Sequence, residues 1–375
     1  MGIESSCDET AVSVVADGRK MLSNVISSQI DIHTLYGGVV PEIASRHHLE
    51  NINGVIDESL SEAGVTLDDI DLIGVTNGPG LIGAVVIGVA TAKAISFAKD
   101  IPLVGVNHMH GHVSANYIQY PDLEPPFISL VVSGGHTQII KVTDYNKCEV
   151  IGATRDDAAG EAFDKVARVI GLGYPGGPKV DRAAKSGDPD AIQFKRVWLE
   201  KGSYDFSFSG LKTQALNYIN QERMQGHEIP VNDIAASYQA AILDVIIQKS
   251  IQAALEFGQA PGMNKAESIQ AAAGLTREPD VSKAESVQAA AGLTREPGVS
   301  KACKPKLVVA GGVAANSALR EGLAQAATEN GIDLYMPDPV LCTDNGAMIG
   351  AAAYYKYRAC GPDPLTLDAY ADLEM

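Results

Sequence analysis

The 375-residue sequence predicts an α/β fold, and three observations carry that expectation. Short β-like apolar runs lead into Gly-rich loops and then into apolar stretches with helical spacing. Hydrophobic residues make up 46% and charged residues 20%, the balance of a globular chain and not of a disordered, collagenous or coiled-coil one. At about 150 residues per domain, the length gives two or three domains.

Taken in order, residues 11–16 (AVSVVA) alternate weakly after a polar turn and predict a strand. The run 72–98 reads as strand, Gly-Pro loop and long apolar helix, and 102–107 (PLVGVN) as a short buried strand entering a histidine-rich helix start. Residues 127–142 read as two strands joined by a Gly-Gly turn. Residues 306–327 are strand, Gly-Gly loop and helix; 333–357 repeat the theme, with an Ala-rich helix after Asp344-Asn345-Gly346. Residues 265–282 and 283–300 are near-copies, identical at 16 of 18 positions. Ser282 with Glu285 forms a capping box, and Gly274 and Gly292 fall at helix C-caps, so each copy predicts one short helix in an exposed, partly disordered surface insertion.

The 29 basic and 46 acidic side chains leave a net charge of −17, which repels polyanions and excludes generic nucleic-acid coating. Any nucleic-acid partner must therefore meet a local basic patch or a helper protein. The five cysteines are dispersed and contain no C-x-x-C, so they read as reduced thiols rather than a disulfide or zinc framework. No apolar run is expected to reach the roughly 20 residues of a membrane span, and MGIESSCDET is not a signal peptide, so the expectation is a cytoplasmic protein without a membrane partner.

The strongest chemical signal is Asn107-His108-Met109-His110-Gly111-His112 directly after a buried strand. On a helix, residues four apart share a face, so His108 and His112 can hold one metal while His110 points elsewhere. A carboxylate from Thr343-Asp344-Asn345 would complete a two-His, one-carboxylate set with open positions, suited to iron or zinc; a plain surface histidine cluster is the competing reading. Three Gly-rich turns follow apparent strands: Ser133-Gly134-Gly135-His136, Gly176-Gly177, and Gly311-Gly312 with Asn316. With the polar Asp8-Glu9-Thr10 turn they suggest a nucleotide held by backbone N–H groups between two lobes. Neither a P-loop nor a G-x-G-x-x-G is present. Asp157, Glu161 and Asp164 fall at i, i+4 and i+7 and predict one acidic helix face, solvated or functional.

The motifs GIESSCDET, PEIASRHH, TNGPGLIGA, NHMHGH, VSGGHT, DDAAGEAFDKVARVIGLGYPGGP, YDFSFSGLKT, AGGVAAN and TDNGAMIGAA occur in one order. Together they resemble the tRNA threonylcarbamoyladenosine biosynthesis transferase family, once called O-sialoglycoprotein endopeptidase. The likeness covers the chain except 265–300 and the last dozen residues. It implies an actin-like ATPase fold of two ribonuclease-H-like lobes around a central cleft, 1–123 with 344–375 and 124–343, the insert lying in the second. The implied reaction moves a threonylcarbamoyl group from threonylcarbamoyl-adenylate to the N6 amine of the adenosine beside the anticodon, in tRNAs reading codons that begin with A, releasing AMP.

Carried over motif by motif, the resemblance implies metal ligands at His108, His112 and Asp344, for one divalent ion per subunit, Fe(2+) first and Zn(2+) second. It implies substrate contacts at Val132, Ser133, Gly134, Gly135, His136, Asp164, Gly177, Asp181 and Asn316, and catalytic groups at Asp8, Glu9 and His136. An adenine amine is a poor nucleophile, so the carbonyl needs polarising and the departing proton needs an acceptor, Glu9 or His136. The implied partners are tRNA, a paralogous actin-like subunit and a small P-loop ATPase, with residues 25–60 as a docking surface. The chain departs from the family pattern in its short lead before Gly2, in His110 where many members carry Glu, and in the tail ADLEM, which lacks a basic, Trp-containing ending. Three other functions compete. A metallopeptidase lacks the Glu of H-E-x-x-H between His108 and His112. A sugar or acetate kinase of the same fold has no use for the histidines, and a non-catalytic paralogue has none for a complete ligand set.

Overall fold

Two five-stranded sheets follow one plan in the computed structural model, which describes residues 1–258 and 304–375; the duplicated segment 265–300 lies outside the described residues. In the first sheet β1 (Gly2–Glu4), β2 (Glu9–Ala16) and β3 (Lys20–Ser28) form an antiparallel meander. β4 (Ile73–Gly78) and β5 (Leu103–Asn107) extend it in parallel on the other side of β1, giving the order β3-β2-β1-β4-β5. The second sheet repeats this as β8-β7-β6-β9-β10. Its meander is β6 (Phe127–Val132), β7 (Thr137–Asp144) and β8 (Lys147–Ala153), and its parallel strands are β9 (Lys306–Ala310) and β10 (Asp333–Tyr335). Tight turns join antiparallel strands, whereas each parallel pairing requires a helical crossover, and this rule sets where the helices fall.

The crossovers of the first sheet are α1 (Ile30–Thr34) with α2 (Pro41–Ala63), and then α3 (Ile82–Lys99). α2 starts on Pro41, whose fixed φ suits a first helical turn, and stops at Gly64 in the left-handed region. Those of the second sheet are α5 (Ala159–Val169), α6 (Gly176–Ala184), α7 (Ser209–Gln225) and α8 (Val231–Phe257), and after β9 the helix α9 (Ser317–Glu329). Phe163, Phe206, Phe208 and Tyr238 sit fully buried in that core. Truncating any one of the three Phe to Ala costs about 3–5 kcal/mol.

Two helices lie between the sheets and decide where the site forms. α4 (His108–Gln119) packs Met109, Val113 and Tyr117 against Phe127, Val131 and Val308 of the second sheet. After the short α10 (Pro339–Cys342), α11 (Gly346–Cys360) packs Ala347, Ile349 and Ala353 with Val104 and Val106 of the first. Gly346 permits this approach, because a Cβ there would collide with the backbone of Val12 and Ser13. α4 and α11 pack on each other, so their N-termini emerge side by side.

Two expectations need correction. α3 is 18 residues long with mean hydropathy 1.5, enough by length and composition to cross a membrane. Ala84, Val85, Val89 and Ala92 are buried against β4 and α2, while Ile82, Val86 and Phe97 face outward. The second concerns the acidic face. Asp157 precedes α5 and does not share its face; with Glu161 it grips Lys165, at 2.7 and 2.8 Å, while Asp164 turns to the N–H of Gly176, at 2.7 Å.

Candidate metal centre and cleft

His108 and His112 open α4 directly after β5, and the side chain of Asn107 accepts hydrogen bonds from Met109 N and His110 N, fixing the start of the helix. Asn345 does the same for α11, accepting from Met348 N at 2.9 Å, which anchors the adjacent Asp344. The result is a cluster in which one ligand atom from each of His108, His112 and Asp344 lies within 4.8 Å of the others. Asp344 Oδ1 is 3.5 Å from His108 Nε2 and 3.3 Å from His112 Nε2. His110 faces away, to Cys148 Sγ at 2.9 Å.

Whether these residues suit a cation is answered by their surroundings. His112 is fully buried, yet neither ring nitrogen makes a hydrogen bond; Nε2 faces Asp344 without hydrogen-bond geometry. A buried imidazole left so is costly unless something else takes its lone pair. His108 Nδ1 lies 3.0 Å from Glu4 Oε2, which directs Nε2 towards Asp344. Two imidazoles and one carboxylate on one side of a point, with open positions opposite, is a donor set for iron or zinc. The residues fit the group.

Glu4 escaped the sequence reading. It is wholly buried at the end of β1, accepting from Thr76 Oγ1 at 2.6 Å and from Ser6 N as well as facing His108. Burial opposes its charge, but His108 beside it holds the carboxyl below the usual range. The signal was present: a carboxylate ending a buried strand requires a partner.

The cluster forms one end of a cleft of about 950 Å³, near the upper limit of the roughly 300–1,000 Å³ typical of small-molecule sites. Residues at the N-terminal ends of α3, α4, α5, α6, α9 and α11 line it, namely Leu81, His108, Gly160, Gly177, Asn316 and Asp344. Helix N-termini bring the positive dipole end to the cleft, while the side chains of Asn107, Asp164, Asn316 and Asn345 already accept N–H groups at the starts of α4, α6, α9 and α11. All three Gly turns border it, through Ser133, Gly134, Gly135 and His136, through Gly177, and through Gly312. Gly311 is held at φ +87°, and any side chain there would strike the carbonyl of Val132.

Of the expected substrate contacts, the structure brings Ser133 to His136, Asp164, Gly177, Asp181 and Asn316 to the cleft. Val132 is the exception, for its side chain is buried in the core of the second sheet. Period-two alternation decides this: the turn begins one residue later. Some of the others have structural duties as well. Asn316 caps α9 through Leu319 N and donates to Gln239 Oε1 at 2.7 Å, while Asp181 accepts from Ser317 Oγ at 2.8 Å. His48, conspicuous in the sequence, ties α2 to the N-terminal turn through Thr10 Oγ1 and the carbonyl of Cys7.

Asp8 and Glu9 also line the cleft, and the Ser28 hydroxyl donates to Glu9 Oε1 at 3.0 Å. Burial, then the neighbouring Asp8 and Asp344, push the Glu9 carboxyl up to about 10. Burial lowers His136 to about 4, with His108 and His112 adding to the effect, and leaves a neutral imidazole. Burial raises Asp164 despite the N–H groups of Gly176 and Gly177.

Comparison with known proteins identifies the family. The family model for tRNA N6-adenosine threonylcarbamoyltransferase matches residues 20–351. The enzyme of that name from Clostridium perfringens (strain ATCC 13124) is 49% identical over 375 residues, spanning 100% of this chain and 97% of the relative. Its counterpart from Clostridium kluyveri is 48% identical over 376 residues, with the same coverage. Among solved structures, full-length HypF in its phosphate- and nucleotide-bound form aligns with a TM-score of 0.51 at 14% identity, over 95% of this chain and 48% of that one, a likeness of fold alone. The fold is that of the actin-like ATPases, and the chain belongs to the tRNA N6-adenosine threonylcarbamoyltransferase family.

Proposed function

We propose that this chain transfers the threonylcarbamoyl group of threonylcarbamoyl-adenylate to the N6 amine of the adenosine beside the anticodon, in tRNAs reading codons that begin with A, releasing AMP. One observation carries the reading: a buried two-His, one-carboxylate cluster borders a cleft whose wall includes the exposed Gly134-Gly135 turn. A mixed anhydride of a carbamic acid and AMP needs both, a polarised carbonyl and a held phosphate.

His108, His112 and Asp344 would hold one divalent ion, Fe(2+) in first place and Zn(2+) in second. When bound, it supplies Lewis-acid polarisation of the threonylcarbamoyl moiety. The Ser133–His136 turn orients the phosphate through the backbone N–H groups of Gly134 and Gly135, and the 311–316 loop with Asp181 holds the adenosine. N6 attacks the carbonyl carbon, the bond to the phosphate oxygen breaks, and AMP leaves with that electron pair. His136, whose ring lines the cleft, is the assigned acceptor of the proton lost by N6. Glu9, beside Asp8 on the same wall of the cleft, is the alternative acceptor. We assign the chain to the cytoplasm, working with a paralogous actin-like subunit and a small P-loop ATPase.

Mass spectrometry of tRNA nucleosides tests this, in a strain depleted of its own enzyme and complemented with the gene. Wild type is expected to restore threonylcarbamoyladenosine, and His108→Ala/His112→Ala to abolish it together with metal in the purified protein. Failure of the soluble wild type with its cognate partners present would overturn the reading.

A further inference from the structure

The chain carries a net charge of −17, yet three exposed cations stand together at the cleft: Arg168 on α5, Arg182 on α6 and Lys185 just past its end. Lys165, on the same wall of the cleft, is by contrast held by Asp157 and Glu161. Among the described residues, the side chains of Arg182 and Lys185 have no hydrogen-bond or ion-pair partner. Arg168 donates to the carbonyl of Gly37, reaching the loop between α1 and α2. That loop supplies Gly38 and Val39 to the cleft wall and carries Leu35 and Tyr36, 82% and 61% exposed. An exposed aromatic on a cleft-lining loop, with unpaired cations elsewhere on the same rim, has the composition of a single-stranded nucleic-acid platform.

We infer that the mouth of the cleft cradles the RNA strand flanking the reacting adenine: Arg182 and Lys185 take backbone phosphates, and Tyr36 on the opposite rim stacks on a neighbouring base. The inference rests on the transferase reading, since it needs an RNA substrate whose adenine enters the cleft. It explains how an acidic protein meets a polyanion, because the attraction is local to the one place where the strand must thread.

Fluorescence anisotropy of a labelled anticodon stem-loop RNA on the full chain, at 50 to 200 mM KCl, tests this. Arg182→Ala/Lys185→Ala is expected to weaken binding on the order of tenfold and to lower the slope of log affinity against log salt by about two. Tyr36→Ala should weaken it roughly five- to a hundredfold with the slope unchanged, and Tyr36→Trp should restore it. Arg223→Ala, exposed on α7 away from the cleft, is the control and should match wild type. Binding isotherms and salt slopes that coincide for wild type and both cleft-mouth variants would overturn the cradle. So would unchanged RNA binding with a raised KM for the adenylate donor, which would give the cations to the donor phosphate. Threonylcarbamoyladenosine formation is scored separately with the partner proteins supplied: product with an unchanged KM for tRNA in the variants keeps the reaction and removes the cradle, whereas no product from wild type removes the reaction itself.

Discussion

The two sheets share one strand order, so the turn after β1 and the turn after β6 are equivalent positions that have become opposite chemistries. The first, Ser5 to Asp8, is buried except for the half-buried Cys7, and Glu4 before it braces His108. The second, Ser133 to His136, exposes Gly134 and Gly135 and offers backbone N–H groups with a neutral imidazole. One turn braces an imidazole of the candidate metal cluster, and the other opens its backbone N–H groups to the cleft. The comparison teaches that a repeated backbone sets where a ligand lies, while side-chain burial sets its charge.

The largest effect is expected where the first turn braces the cluster. Glu4→Ala strands a buried imidazole and removes one partner of a buried pair, a loss of about 3–5 kcal/mol in stability. Glu4→Gln keeps the shape, so it isolates the orienting role; equilibrium dialysis should show divalent-metal affinity down about 10- to 100-fold while the melting temperature holds nearer to wild type. Unchanged metal affinity in Glu4→Gln would dissolve the contrast between the turns.

The second turn should break differently. A Cβ at Gly160 would meet the carbonyl of Ser133 and the Cα of Gly134, so Gly160→Ala displaces the turn without touching the histidines. Steady-state kinetics should show the KM for the adenylate donor raised about tenfold, the scale of one misplaced charge-assisted hydrogen bond, with metal stoichiometry intact. Metal lost along with donor affinity would mean the two walls are not separable.

The smallest effect sharpens the charge argument. His136 has a folded value of about 4 against an ordinary 6.5, so the folded state resists protonation. Its contribution to stability is present above 6.5 and is lost as pH falls through the interval down to about 4. Thermal melting at pH 7 and pH 4.5 should therefore show the gap between wild type and His136→Asn shift by about 2 °C in the variant's favour at the lower pH. A gap that does not move would place the His136 ring in water.

Much of this was legible in the chain. Strand, Gly loop and helix followed one another as periodicity dictates, and the four-residue spacing of His108 and His112 put both rings on one helix face. Local rules reach no further than a turn or two. They misplaced Asp157, which ends a loop rather than joining a helix face; Val132, which the family resemblance added to the contacts, has its side chain turned inward by the pleat.

The sequence by itself determined the element order, the two histidines as a pair, and the Gly turns that follow the strands, because each depends on neighbours within a few residues. Only the tertiary structure decided that Asp344, 232 residues beyond His112, meets both rings. It does so because α4 packs on one sheet, α11 on the other, and the two helices on each other. Glu4 behind His108, and the cations that the fold leaves unpaired at the cleft mouth, were decided in the same way. Burial and desolvation are properties of packed surfaces, and a linear sequence carries them only as the propensity to pack.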